Sequence, residues 1–148
     1  MEVSIQGESQ RTITLTGIEF TVKRRPRPAG GIAIHSQCGG AGFGYTIQVD
    51  LDTNPPQITN AMFAMPGKKT RPITFPWRVS LSDPLLLYVS THSHTCDCEW
   101  SARIPWVSGS KRGVIVIDDD GHGFPVVDGD GLPIYLGNTE EGWIPVDW

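Results

Sequence analysis

A chain of 148 residues with a formal net charge of −4 fits one domain. Such a chain buries roughly 70% of the surface its unfolded form exposes. Its 17 glycines and 12 prolines, against 19% charged residues, favour turns and strands over long helices. Nucleic acid and anionic lipid are not default partners for an acidic chain. The longest apolar stretch, PLLLYV, is far short of the ~20 residues of a membrane span, so direct membrane insertion by this chain is not expected either.

The N-terminal stretch MEVSIQGES has neither the basic nor the apolar part of a signal peptide. A chain that enters a strand-like pattern straight after Met1 could equally be a domain excised from a longer protein. It would be extracytoplasmic if that parent is membrane-anchored and cytoplasmic otherwise.

Alternation with period two recurs along the chain, as it does when successive side chains of a strand point to opposite faces. TITLTGIEFTVKR alternates in both halves but changes phase at Gly17, from Ile13 and Leu15 to Ile18, Phe20 and Val22, which predicts a bulge or tight turn there. TIQVDL sets Ile47, Val49 and Leu51 on one side. ITFPWRVSL does the same with Ile73, Phe75, Trp77, Val79 and Leu81. Farther on, Cys98, Trp100, Ala102, Ile104 and Trp106 share a face opposite Glu99, Ser101 and Arg103. SGSKRG then turns the chain, and VIVID returns it as the second arm of a hairpin.

Gly- and Pro-rich turns separate these runs. The expected fold is all-β: a single antiparallel β-sandwich domain, 1–148, of eight or nine strands, with a small closed β-barrel as the alternative. The segment 119–148 is loop-rich, but Phe124, Ile134, Tyr135, Trp143 and Trp148 give it apolar side chains with which to dock on the sandwich. Trp77, Trp100 and Trp106 fall in the apolar phase and are expected in the core. Only Trp143 and Trp148 remain as surface candidates.

The stretch STHSHTCDCEW places His92, His94, Cys96 and Cys98 on alternate positions as candidate zinc ligands. On one regular strand the first and last would stand ~20 Å apart, too far for one ion whose ligand bonds are ~2.0 to 2.3 Å. A turn over Ser93 to Thr95 would bring them closer. The competing expectation makes Cys98 a small core residue beside Trp100, with Cys96 packed or bridged to Cys38. With three cysteines, at most one intrachain bridge forms and one thiol is left over.

Asp118, Asp120, Asp128 and Asp130 form a candidate calcium set in a stretch that departs from the EF-hand pattern, with His122 and Gly129 at ligand positions. Acid-rich turns after strands are more often simply solvated. Lys23, Arg24 and Arg25, Lys68 and Lys69, and Lys111 and Arg112 would make one cationic patch if their loops share an end of the sandwich. There is no G-x-S-x-G elbow, no Walker loop and no dinucleotide fingerprint. A dyad of Cys96 or Cys98 with His92, His94 or His122 would need a lowered thiol pKa and hydrogen-bond geometry, and the strand phase favours buried or bridged cysteines instead. No catalytic residue is assigned.

LTGIEFTVKRRPRPAGG, VDLDTNPP, VSLSDPLLLYVST, CEWSARIPWVSGSKRGVIVIDDDGHGFPVV and EEGWIPV together resemble an uncharacterised actinobacterial immunoglobulin-like β-sandwich domain. That domain is commonly found C-terminal to a membrane segment or a helix-turn-helix region. The resemblance implies an immunoglobulin-like sandwich serving as a sensory or interaction module. This sequence departs from the pattern in HSHTCDC and in GFPVV.

The functional expectation is therefore a non-catalytic protein-interaction or sensory binding module, with no cofactor and with a protein partner or self-association. The alternatives are a zinc- or calcium-binding domain and a small β-barrel enzyme acting on a hydrophobic metabolite.

Overall fold

The computed structural model describes residues 1–25, 33–35, 44–64, 69, 71–127, 132–138 and 142–146. These form 14 strands and no helix, so no helix here is long and apolar enough to cross a membrane. In chain order they are β1 (Glu2–Ile5), β2 (Ile13–Leu15), β3 (Glu19–Arg25), β4 (Ala33–His35), β5 (Gly44–Asp50), β6 (Gln57–Ala64) and β7 (Arg71–Pro72). There follow β8 (Trp77–Val79), β9 (Leu85–His92), β10 (Asp97–Ser108), β11 (Lys111–Ile117), β12 (Phe124–Val126), β13 (Ile134–Asn138) and β14 (Gly142–Val146).

Two sheets make a sandwich. The first runs β1-β9-β5-β6-β7; the second runs β11-β10-β2-β8, with β3 and β12 also paired to β10. All ladders in the two are antiparallel except β5 with β9. A third, small sheet joins β14, β13 and β4. Among the described residues neither main sheet closes on itself, which favours the sandwich over the alternative of a closed barrel.

The core between the sheets takes Ile47, Val49, Leu51, Leu85, Leu87 and Val89 from one side, and Leu15, Phe20, Trp77, Val79, Trp100 and Ile104 from the other. Each large apolar side chain buried this completely contributes about 1.5–3 kcal/mol. Ile47, Val49 and Leu51 are fully buried, as the period of TIQVDL requires. Trp100 is clasped between Phe20 and Phe124, with ring centres 5.7 and 5.1 Å away.

The phase change at Gly17 is a bulge-like interruption. Leu15 pairs with Trp106 and Glu19 with Arg103, so the β2–β3 side spans one residue more than β10 does. ITFPWRVSL differs from expectation: it is not one strand. Arg71 and Pro72 pair with β6 in the first sheet, whereas Trp77–Val79 pair with β2 in the second. Pro76 has no N–H to donate to a ladder, and the chain crosses between sheets there. The alternation survives the crossing as far as Val79, and Leu81 is exposed.

Candidate functional site

HSHTCDC is the arch that carries the chain from β9 in the first sheet to β10 in the second. Asp52, just past β5, holds it. Its carboxylate accepts from the Ser93 hydroxyl at 2.6 Å, the Thr95 hydroxyl at 2.7 Å and the backbone N–H groups of His94 and Thr95 at 2.7 and 3.3 Å. The Ser93 hydroxyl in turn accepts from the N–H of Cys96 at 3.0 Å. Burial pushes the Asp52 pKa up, but the hydrogen bonds from Ser93, His94 and Thr95 outweigh it and hold the carboxyl well below the usual carboxylate range.

Cys96 is joined to Cys98 by a disulfide. Of the two options for Cys96, packed with a free thiol or bridged to Cys38, the structure shows neither: Cys96 and Cys98 are two residues apart with Cα atoms at 5.6 Å, inside the span of a disulfide, and the pair closes locally. Cys38 lies outside the described residues. Sulfurs bonded to each other are not thiolate ligands, and the His92 and His94 rings stand 5.7 Å apart. Among the described residues no group of three or more His, Cys, Asp or Glu side chains comes together to hold a metal ion, so the zinc set is not assembled.

Asp118 and Asp120 sit at the end of β11. Asp120 and Gly121, with φ of 50° and 85°, form a tight turn closed by backbone bonds between Asp119 and His122. Asp128 and Asp130 fall outside the described residues.

The described basic residues stand at different places on the second sheet. Arg25, Arg24 and Lys23 pair with Asp97, Cys98 and Glu99, at one end of β10, and Lys111 and Arg112 pair with Ser108 and Val107 at the other. Ten residues of strand separate Cys98 from Ser108, about 30 Å at strand rise. Lys69 is exposed and Lys68 lies outside the described residues.

A different cluster does come together. Where β1 leaves the first sheet beside β2, β8, β10 and β11 of the second, an open cleft of about 520 Å³ forms. Ile5, Ile13, Leu15, Val79, Trp106 and Ile115 make its apolar floor and walls. Gln6, Glu8, Ser9, Arg11, Ser108 and Lys111 make its polar rim.

The rim is held in place from both sides. Gln6 Nε2 donates to the Leu81 carbonyl at 2.7 Å, the Leu81 N–H donates to the Ser9 carbonyl at 2.9 Å, and Ser108 Oγ donates to the Thr12 carbonyl at 3.0 Å. Trp106 was expected in the core. It is half-buried instead, packed against the core and lining the cleft near the end of β10.

Two cations and one carboxylate line the rim, a local charge of +1 on an acidic protein. An apolar floor under a few polar groups is the usual composition of a small-molecule site, and 520 Å³ falls within the usual range. Sequence reading missed Glu8, Arg11 and Asp52. Each lies in a short polar run with no motif, and their roles come from residues 40 to 100 positions away along the chain. Compared with known proteins, the chain matches no family model, no curated protein and no solved structure.

Proposed function

We propose that this chain is a non-catalytic sensory binding module, an immunoglobulin-like sandwich of the actinobacterial kind its sequence resembles, and that it takes a small amphipathic anion in the cleft beside Trp106. The observation that carries this reading is the pairing of an apolar floor with Arg11 and Lys111 at the rim. A flat or branched apolar body would displace water from Ile13, Ile115 and Trp106, while a carboxylate head would meet the two cations. Glu8 on the same rim disfavours a second negative charge, which selects monoanions.

Titration with phenylbutyrate, phenylbutanol and phenylbutylamine, followed by NMR shifts at Trp106 and Ile13, tests it. Phenylbutyrate is expected to bind saturably and more tightly than the other two. The double variant Arg11→Gln/Lys111→Gln is expected to weaken it about fivefold, the size of two rim ion pairs. Equal binding of all three probes, or none with any, overturns the reading.

A further inference from the structure

Among the described residues strand β11 is a border of the second sheet, with β10 as its neighbour. Borders of this kind are normally blunted by prolines, brevity or charges along their length. β11 is seven residues long and contains no proline, and on its outer face Val114 and Val116 are 44% and 53% exposed. Val107 on β10, 41% exposed, extends the apolar stripe behind them. The charges are sorted to the two ends instead: Lys111 and Arg112 lead into the apolar stretch, and Asp118 and Asp119 follow it.

This order is self-complementary in one arrangement. With a two-fold axis through Ile115, antiparallel pairing sets Val114 opposite Val116 of a second copy, Arg112 opposite Asp118 and Lys111 opposite Asp119. Arg112, Val114 and Val116 alternate on one face of the strand, so the opposed valines share a face, and Asp118, the first residue past the strand's end, falls at the register position opposite Arg112. Moving the axis to Val114 puts Arg112 against Val116 and leaves the carboxylates unmatched. Parallel pairing stacks Arg112 on Arg112.

We infer that the protein forms a two-fold dimer through antiparallel pairing of its β11 edges about Ile115, which joins the second sheets of two copies into one continuous sheet. The edge shares Lys111 and Ile115 with the lining of the cleft, so the dimer is tested at Arg112 and Asp118, neither of which lines it, and loss of one property leaves the other measurable.

Sedimentation velocity over rising protein concentration tests the dimer, with circular dichroism confirming that each variant is folded. The parent chain is expected to sediment as a monomer–dimer equilibrium. Arg112→Asp alone, and Asp118→Arg alone, each set like charges opposite one another twice across the two-fold axis and are expected to weaken dimerisation by about tenfold or more. The double variant Arg112→Asp/Asp118→Arg restores the complementarity and is expected to dimerise like the parent. A parent that stays monomeric at hundreds of micromolar overturns the inference. So does a dimer indifferent to the single reversals, or one that the double reversal fails to restore.

Discussion

The indole of Trp106 lies directly against Gly113, its cross-strand partner on β11: a Cβ at position 113 would stand 2.6 Å from Cζ2 and 2.7 Å from Cε2 of the ring. No real side chain tolerates such a contact, so the missing side chain at 113 is what lets the ring lie where it walls the cleft. Gly113→Ala is expected to force the indole aside, at a cost of roughly 1–3 kcal/mol, the usual penalty for overpacking. Near-UV circular dichroism and a urea midpoint check this. An unchanged tryptophan signature and midpoint would show that the ring is held by something other than the space above Gly113.

Asp52 ties the arch between the sheets, and the tie is ionic. Replacing its carboxylate by the amide in Asp52→Asn leaves donors facing a weaker acceptor, and is expected to cost roughly 1–3 kcal/mol at neutral pH. The folded protein holds the Asp52 pKa below its unfolded value. The stabilisation is therefore complete above the unfolded value, near pH 4, and is lost as pH falls through the folded one. Denaturation of the two proteins between about pH 7 and pH 2 should show a gap that is constant above about pH 4 and narrows below it. A gap that widens in acid would mean that the carboxyl is protonated more easily in the folded chain.

With Cys96 bonded to Cys98, the denatured, unreduced chain is expected to carry one titratable thiol of its three cysteines, and all three after reduction. Counting with a chromogenic disulfide reagent distinguishes this from three free thiols. Peptide mapping that recovered Cys38 linked to Cys96 would overturn the local pairing.

Arg25 and Glu99 form an ion pair at 2.9 Å across β3 and β10, with both side chains open to water. Solvent screening and the entropy of two long side chains leave such pairs little net value. Arg25→Ala is expected to change stability by less than about 0.5 kcal/mol. A loss several times larger would show that this end of β10 depends on the pair rather than on the Phe20–Trp100–Phe124 packing.

Much of the fold is legible residue by residue. The alternation of TIQVDL, the apolar face from Cys98 through Ile104 and the SGSKRG turn all appear in the structure as written. Gly109, at φ 61°, takes the first loop position of that two-residue hairpin. The break in ITFPWRVSL was not legible. Period two reports which face a side chain takes but not which sheet the strand joins, and Ile73, Phe75, Trp77 and Val79 keep one phase while the chain passes from one sheet to the other. His92, His94, Cys96 and Cys98 drew attention by residue type, yet their arrangement is set by Asp52, whose carboxylate fixes the turn from another strand.

The sequence by itself determined the all-β class, the half-buried strands and two of the core tryptophans, Trp77 and Trp100, because these follow from side-chain period and from the local dihedral preferences of glycine and proline. Only the tertiary structure decided that Cys96 bonds to Cys98, that the basic clusters stand at opposite ends of β10, and that Arg11, Lys111 and Trp106 meet around one cleft. Those outcomes depend on strand order and register, which are fixed by the simultaneous burial of faces far apart in the chain. No local stretch of residues carries that information.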